Sequence, residues 1–312
     1  MENTIAFYNL ENLFDTKDDP HTLDDDYTPR GFKKWKDDRY RSKVKKLAKA
    51  ISRIGEDEKS SPPVLVGIAE VENDKVVEKL LKSKYLRDLP FDFVHFDSPD
   101  ERGIDTALIY NTDNFEVIQS QTLPLLIENE DGDRDFTRDI LHVHGRLNGE
   151  EMHLFVNHWP SRRDGEDETK HKRIEAARTI LRRLNALSDS PESLHVIIMG
   201  DFNDDPNSES IQVLMDSGWF INPFKKLLSP NSGSANYRGN WSLFDQIILS
   251  HSFLNIEAGT HSFQKAAIFS PRFLKEWKGK YKGNPFRTFV GKKYIGGYSD
   301  HFPVYVQLQF HK

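Results

Sequence analysis

Residues 195–203 read His-Val-Ile-Ile-Met-Gly-Asp-Phe-Asn, an apolar run that ends in an acidic and an amide side chain. A continuous apolar run is typical of a strand that is buried on both faces. Short runs of the same kind, rich in β-branched or aromatic residues, recur along the chain. The predicted strands are Thr4–Asn9, Val64–Glu70, Asp92–Phe96, Thr106–Tyr110, Met152–His158, His195–Asp201, Leu243–Leu249 and Phe302–Phe310.

Apolar residues at helical spacing predict helices over Arg39–Ile54 and Thr169–Leu187. A shorter helix is expected after Asn207-Ser208, ending near Gly218. Strands outnumber helices, and hairpin-like pairs alternate with crossover segments. The pattern therefore predicts an α/β sandwich with mixed sheets. The charged segment 16–38 and the Gly-, Lys- and aromatic-rich segment 270–299 are predicted to be long surface loops.

The composition limits the classes of function. The chain has 312 residues, a formal net charge of −6 and no cysteine, which excludes a thiol nucleophile and a zinc–cysteine site. The acidic balance counts mildly against tight, non-specific nucleic-acid binding. No membrane span, signal peptide or stable protein partner is evident, and we expect a monomer. The composition fits both a cytoplasmic protein and an exported protein from which a signal peptide has been removed.

Polar side chains lie where the predicted strands end, which is where a rigid scaffold can present them to a shared cleft. They are Asn9 and Glu11 after the first strand, Glu70 after Val-Leu-Val-Gly-Ile-Ala, His158, Asp201 and Asn203, Asp245 within an apolar run, and Asp300 and His301 before the last strand. This arrangement indicates one site built from six segments.

The residue types suit phosphoester hydrolysis. Glu70, Glu11 and Asp300 offer the hard oxygen donors that Mg²⁺ or Mn²⁺ prefers, with Ca²⁺ as a third option. A histidine oriented by a carboxylate can activate water near neutral pH, and His301 with Asp245 is the candidate pair.

The remaining residues of the set are expected to handle water, phosphate and the leaving group. Asp201 and Asn203, two residues apart in an extended segment, would point the same way. Together they could orient water and phosphate. His158 could assist the leaving oxygen.

Each motif also has a structural interpretation. Gly-Asp-Phe-Asn alone is typical of a strand followed by an Asx turn. Ser-Asp-His before a strand could be an ordinary turn, and His158 could be a core histidine. Asp245 needs a partner, because a buried carboxylate is costly unless it is paired. The basic run Lys43-Val-Lys45-Lys46 is expected to be solvated helix surface.

Taken as a set, the motifs FYNLEN, IAEVEN, NHWPSRR, GDFND, FDQI and SDHFPV resemble those of the endonuclease/exonuclease/phosphatase superfamily. The combination of NLENLFD, RGID, NHWPSRR and GGYSDHFP resembles a bacterial, often exported, nuclease-like branch of it. The resemblance implies a DNase I-like fold, a four-layered sandwich of two mixed β-sheets flanked by helices, formed by residues 1–312 as a single domain.

The resemblance also implies roles. Glu70 would be the principal metal ligand, with Glu11 as a second acidic ligand and Asp300 helping to place a metal. Asn9 would contact phosphate or support the metal shell, Asp201 would polarise or deprotonate the attacking water, and Asn203 would hold the phosphate. His301 would act as a base or contact the phosphate directly. His158 resembles a second histidine that leans on a carboxylate, for which Asp105 is the candidate and Glu101 competes.

The first substrate hypothesis is a phosphodiester of DNA or RNA, bound by Arg162 and Arg163 beside His158. Further phosphate contacts could come from Arg102, Arg238 and Arg287, and base stacking from Trp35, Tyr27 and Trp241. The alternative is a phospholipase C-type or phosphomonoesterase activity on a lipid head group or on an inositol or sugar phosphate. A catalytically silent binding protein is a third interpretation.

Overall fold

The computed structural model describes residues 1–56, 62–128, 132–163 and 165–312. The strands are β1 (Glu2–Leu13), β2 (Leu65–Val71), β3 (Phe91–His95), β4 (Asp105–Asn111), β5 (Phe115–Leu123), β6 (Ile127–Glu128), β7 (Arg134–Asp135), β8 (Ile140–Leu147), β9 (Glu150–His158), β10 (Val196–Asp201), β11 (Phe220–Ile221), β12 (Ala235–Tyr237), β13 (Asn240–Ser242), β14 (Asp245–Ser250), β15 (His261–Ile268), β16 (Phe289–Val290), β17 (Lys293–Tyr294) and β18 (Val304–Phe310). The α-helices are α1 (Asp37–Ile51), α2 (Asp74–Leu81), α3 (Lys170–Leu187) and α4 (Glu209–Met215). Short 3₁₀ turns lie at Asp25–Tyr27, Pro191–Ser193, Pro223–Lys226, His251–Leu254 and Arg272–Leu274.

Two six-stranded sheets carry the fold. The first has the order β15-β18-β1-β2-β4-β3, and the second has the order β11-β14-β10-β9-β8-β5. Each sheet is mixed: β1 pairs with β2, and β9 with β10, in parallel, whereas the other pairs are antiparallel.

Three apolar clusters separate four layers. The cluster between the two sheets contains Phe7, Leu154 and Met199. The outer face of the first sheet packs against α1 and α2, and that of the second packs against α3 and α4. A side chain at Gly67 would place its Cβ 2.5 Å from the Met199 sulfur, so the two sheets meet closely there. The predicted four-layered sandwich of mixed sheets is confirmed.

Most of the longer strands that the sequence did not predict contain polar residues between their apolar ones. β5, β8 and β15 alternate apolar and polar residues or lie at a sheet edge, so they lack a continuous apolar run. The eight-residue helix α2 was also missed. Segments 16–38 and 270–299 are mainly irregular, as expected, but Trp35 in the first is completely buried. Among the described residues, no helix is both long enough and apolar enough to cross a bilayer.

A histidine stack on the second sheet makes stability depend on pH. His142 lies against Phe155 with ring centroids 4.5 Å apart, and its Nε2 is 3.1 Å from Nδ1 of His153. Burial lowers the pKa of His142 to about 3 and that of His153 to about 4. The stabilising effect of these neutral rings is present above pH 6.5 and is lost as the pH falls from 6.5 through those values.

We therefore expect His142 and His153 each to cost the wild type about 2 kcal/mol of unfolding free energy between pH 7 and pH 5. His142→Gln should lose less over the same interval, because its side chain cannot be protonated in the unfolded state. Thermal melts at pH 7, 6 and 5 measure the difference. The exposed His21→Gln is the control, and a His142→Gln curve parallel to the wild type would contradict the expectation.

Candidate active site

The predicted residues meet where the two sheets approach each other. On the second sheet, the registers of β9, β10 and β14 place His158, Asp201 and Asp245 side by side on neighbouring strands. On the first sheet, Asn9 of β1 lies opposite Ala69 of β2, next to Glu70. Residues far apart in sequence, such as Asn9 and Asp201 with a separation of 192 positions, are thus brought together by strand register.

Asn9 joins the two halves of the site. Its amide donates to Oδ2 of Asp201 at 3.0 Å and to Oε1 of Glu70 at 3.3 Å. The amide is held in turn by the Glu11 backbone N–H, which donates to Asn9 Oδ1 at 2.9 Å. The Ser299 hydroxyl donates to the Asn9 carbonyl at 2.6 Å. Asn9 is therefore a buried, fully constrained link between the sheets.

His301 and Asp245 are in direct contact, with Nδ1 of the histidine 2.6 Å from Oδ2 of the aspartate. Nε2 of His301 lies 3.9 Å from Oδ2 of Asp201. Burial alone would lower the pKa of His301, but the carboxylates of Asp245 and Asp201 outweigh it and raise the pKa well above its usual value. A charged imidazolium favours the second role predicted for His301, direct contact with an anionic phosphate.

His158 differs from His301 in its protonation. Burial, together with the charges of Arg138 and Arg102, lowers the pKa of His158 well below its usual value. Its Nε2 lies 3.8 Å from both Glu70 Oε1 and Asp201 Oδ2. Within the described residues its Nδ1 has no hydrogen-bond partner.

The expected carboxylate partner of His158 is wrong. Asp105 instead contacts His95 Nε2 at 3.1 Å and accepts from the backbone N–H of Ser98 at 2.9 Å. The competing Glu101 is exposed. The local order of the Arg-Gly-Ile-Asp motif could not reveal this, because His95 lies across the β3–β4 pair.

Glu70 is held in an unusual backbone conformation with φ 62°. Its Oε2 accepts from the Asn12 backbone N–H at 2.8 Å. Glu11, Asn12 and Asn203 also have positive φ values of 51°, 54° and 49°. Such conformations are rare for side-chain-bearing residues, and they concentrate at functional sites where the surrounding structure imposes them.

Asn203 lies beyond the end of its strand, so it does not share an extended segment with Asp201 as predicted. Its backbone N–H donates to Asp201 Oδ1 at 3.0 Å, which is the Asx turn of the alternative interpretation. Its side-chain amide donates to the Trp159 carbonyl at 2.9 Å. The turn nevertheless brings Asn203 and Asp201 to the same cavity.

Glu11 holds a loop rather than offering free oxygens. It accepts from the backbone N–H groups of Thr288 at 2.6 Å and Phe289 at 3.4 Å. Burial, assisted by Asp300, raises the pKa of Glu11 to about 7. Asp300 is itself engaged, with Oδ2 2.6 Å from a guanidinium nitrogen of Arg287. Both carboxylates that were predicted as metal ligands are thus also engaged by donors of the protein.

Lys43 completes this network, contrary to the expected solvated surface. Its side chain is 1 % exposed. Its ammonium donates one hydrogen bond to the Glu11 carbonyl and a second to Thr288 Oγ1, the latter at 2.6 Å. Burial lowers the pKa of Lys43, against the opposing effect of the Glu11 carboxylate. Lys43 thus anchors the loop that carries Arg287.

The side chains enclose a polar cavity of about 380 Å³. Among the described residues, the lysine and arginine side chains that line it are Lys33, Arg102, Arg163 and Arg287. The other lining residues are Glu11, Asn12, Tyr27, Glu70, His158, Ser161, Asp201, Asn203, Phe289, Gly291, Asp300 and His301. A cavity with this charge distribution suits a small anionic group held against a carboxylate cluster.

Arg162 is not among the lining residues, which corrects one prediction. Its guanidinium donates to Asp204 Oδ1 at 2.6 Å and to the Asn203 carbonyl at 2.7 Å, so it holds the Asp201–Asn203 turn. Trp35 is also unavailable for stacking, because its indole N–H donates to the Phe14 carbonyl within the core. Lys33 was missed because one lysine in a charged loop carries no local signal.

The fold and the sequence identify relatives of the chain. The model of the Endonuclease/Exonuclease/phosphatase family matches residues 4–310. An endonuclease/exonuclease/phosphatase family protein from Bacteroides thetaiotaomicron is 19% identical, with a TM-score of 0.63 over 100% of this chain and 99% of that one. A mannosyl-6-phosphatase from the same organism is 18% identical, with a TM-score of 0.61 over 99% and 100% of the two chains.

A humanized D. rerio TDP2 is 15% identical, with a TM-score of 0.60 over 99% of each chain. No curated protein matches. At these identities the solved structures establish the shared DNase I-like fold alone. The family match over nearly the whole chain goes further, and it places this protein in the endonuclease/exonuclease/phosphatase family, whose members hydrolyse phosphoesters.

Proposed function

We propose that the chain is a divalent-metal-dependent phosphodiesterase, formed by residues 1–312 as one monomeric domain, and that its substrate is DNA or RNA. The observation that carries the proposal is the convergence on Oδ2 of Asp201. Asn9 donates to this oxygen at 3.0 Å, Nε2 of His158 at the end of β9 lies 3.8 Å from it, and Nε2 of His301, which precedes β18, lies 3.9 Å from it.

The donor chemistry of Glu70 fits a hard cation. Its carboxylate is only partly buried and lines the cavity, and one backbone and one side-chain donor hold its two oxygens. Oxygen donors of this kind are preferred by Mg²⁺ and Mn²⁺, and Ca²⁺ accepts them too. Glu70 would hold the ion, with Asp300 beside it. When bound, the ion would neutralise charge that develops on the phosphate.

The side chains of the protein would activate the attacking water and contact the phosphate. Burial raises the pKa of Asp201, which suits a carboxylate that accepts a proton from the attacking water. Charged His301 and the amide of Asn203 would contact the non-bridging oxygens. Neutral His158 would donate a hydrogen bond and position Asp201 and Glu70, because a histidine with a lowered pKa is a poor source of a proton for the leaving oxygen.

A phosphomonoesterase that acts on a sugar phosphate or a lipid or inositol head group is the second candidate. The cavity of about 380 Å³ is large enough for one head group. One relative of similar fold is named as a mannosyl-6-phosphatase. The lysine and arginine side chains around the cavity favour a phosphodiester over a phosphomonoester substrate, because a polymer presents several phosphates in succession.

A substrate panel tests the proposal. We expect hydrolysis of bis-p-nitrophenyl phosphate and of DNA or RNA with Mg²⁺ or Mn²⁺, loss of activity in EDTA, and recovery when metal is restored. p-Nitrophenyl phosphate and mannose 6-phosphate should react more slowly. Activity that survives full chelation would overturn the metal requirement, and turnover confined to monoesters would replace the first candidate by the second.

A further inference from the structure

A second cavity of about 870 Å³ lies directly beside the catalytic cavity. The two share the lining residues Arg287, Gly291 and Asp300, so they adjoin each other. One wall of the second cavity is the hairpin of β12 and β13, and the other is the segment 276–290. A group that leaves the catalytic cavity past Arg287 enters this space.

The hairpin is fastened to the catalytic pair. Ala235 forms a β-bridge with His301, and the carbonyl of Ser234 accepts from the Phe302 backbone N–H at 2.7 Å. The hydroxyl of Ser234 accepts from the Asp245 backbone N–H at 3.1 Å. Three residues of extended chain span roughly 10 Å, so the tip at Arg238 lies within about that distance of the bridge to His301.

Each wall carries an exposed tyrosine with a cation over its ring. Tyr237 is 69% exposed, and the guanidinium of Arg238 lies 5.1 Å from its ring centroid. On the opposite wall Tyr281 is 46% exposed, with the Lys280 ammonium 5.7 Å from its ring. Aromatic faces stack on nucleobases, and nearby cations contact the phosphates that link them.

Two further observations concern the walls of the second cavity, a hydrogen bond that joins them and an unusual backbone conformation at the tip of the hairpin. Asn284 of one wall donates to Asn236 Oδ1 of the hairpin at 3.1 Å, which joins the walls. Arg238 has a φ of 52°, a conformation that is costly for a residue with a side chain and is found where a ligand or turn requires it.

From this geometry, and resting on the phosphodiesterase function proposed above, we infer that the second cavity binds the nucleotide next to the scissile phosphate. Its base stacks on Tyr237 or Tyr281, and its outer phosphate contacts Arg238 and Lys280. A head-group monoester fills only the catalytic cavity and leaves this space unused. The enzyme should therefore prefer single-stranded oligonucleotides to minimal diesters.

Kinetics with a short and a long substrate test the inference. The measured quantity is the ratio of kcat/KM for an eight-nucleotide single-stranded DNA or RNA to that for bis-p-nitrophenyl phosphate. Tyr281→Ala and Arg238→Asn should each lower this ratio about tenfold, mainly through KM for the oligonucleotide. Asparagine is chosen at position 238 because it tolerates the positive φ.

Phe136→Ala is the matched control, because Phe136 is a 44% exposed ring with Arg134 at 4.8 Å and lines neither cavity. It should leave the ratio unchanged. If oligonucleotides and bis-p-nitrophenyl phosphate are both hydrolysed and neither cavity variant changes the ratio, the inferred nucleotide site is wrong. If bis-p-nitrophenyl phosphate is hydrolysed but oligonucleotides are not, the nucleic-acid substrate proposed above is wrong together with the site. If bis-p-nitrophenyl phosphate is not hydrolysed, the proposed function itself fails.

Discussion

His301→Asn is expected to lower kcat for phosphodiester hydrolysis by about 10²–10⁴-fold, the range observed when a positioned proton-transfer or charge-stabilising side chain is removed. The wild-type imidazole is charged by its contact with Asp245 and by the nearby Asp201 carboxylate. Asparagine can still donate a hydrogen bond to Asp245 from a similar position. The variant should therefore lose the positive charge without leaving the buried aspartate unpaired.

Steady-state kinetics on bis-p-nitrophenyl phosphate, with a thermal melt of each protein, measure the effect. His144→Asn is the control, since His144 also contacts a carboxylate, Glu151 at 2.7 Å, but lies outside the cavity. A His301→Asn enzyme with more than a tenth of wild-type kcat would rule out a direct role for the imidazolium.

Asp201→Asn should reduce kcat by a similar factor, because its Oδ2 is the atom that Asn9, His158 and His301 approach. The double variant with His301→Asn should lose little more than either single variant, since groups that act as one unit are strongly non-additive. Additive losses would indicate that Asp201 and His301 act in separate steps.

Lys43→Met is expected to lower the free energy of unfolding by about 3–5 kcal/mol, because removing one member of a buried charge pair leaves the other uncompensated. The ammonium lies 4.0 Å from Glu11 Oε2 and donates to Thr288, so its loss also frees the loop that carries Arg287. Urea denaturation measures the stability, and phosphodiesterase assays should show a parallel fall in activity.

Lys45→Met provides the control on the same helix, where the side chain is exposed and should contribute less than about 0.5 kcal/mol. Adding Glu11→Gln to Lys43→Met should recover part of the lost stability, because the stranded carboxylate is then neutral. Equal stability of the two lysine variants would show that Lys43 is not held as a buried charge.

The sequence carried most of the information about the strands that support the site. Strands such as His195–Asp201 could be found because buried strands need apolar side chains on both faces, a property of consecutive residues. β5, β8 and β15 escaped detection because a half-exposed or edge strand keeps polar residues that resemble those of loops. The pairing of Asp245 with His301 was foreseeable, because a carboxylate in an apolar run requires a partner.

Other pairings in the site depended on residues far apart in the chain. Glu11 and Thr288 are separated by 277 positions, and nothing near either residue indicates the hydrogen bond between them. The same holds for Lys43, which sequence context assigns to solvent, and for Asp105, which pairs with His95 across a strand pair. The choice among several available charged partners depends on which side chains the packed layers bring within about 3 Å.

The polar residues at strand ends, including His301, were thus identifiable from the sequence alone, because the ends of the apolar runs follow from local periodicity. Only the tertiary structure decided which of these side chains are charged and which role each can take at the site. His158 and His301 occupy similar places in the sequence pattern, and both lie about 3.8–3.9 Å from Asp201. Only His301 has a carboxylate in direct contact, Asp245 at 2.6 Å, whereas His158 is buried near the charges of Arg138 and Arg102. Their pKa values move in opposite directions because electrostatic energies depend on distances between segments, which residue order does not contain.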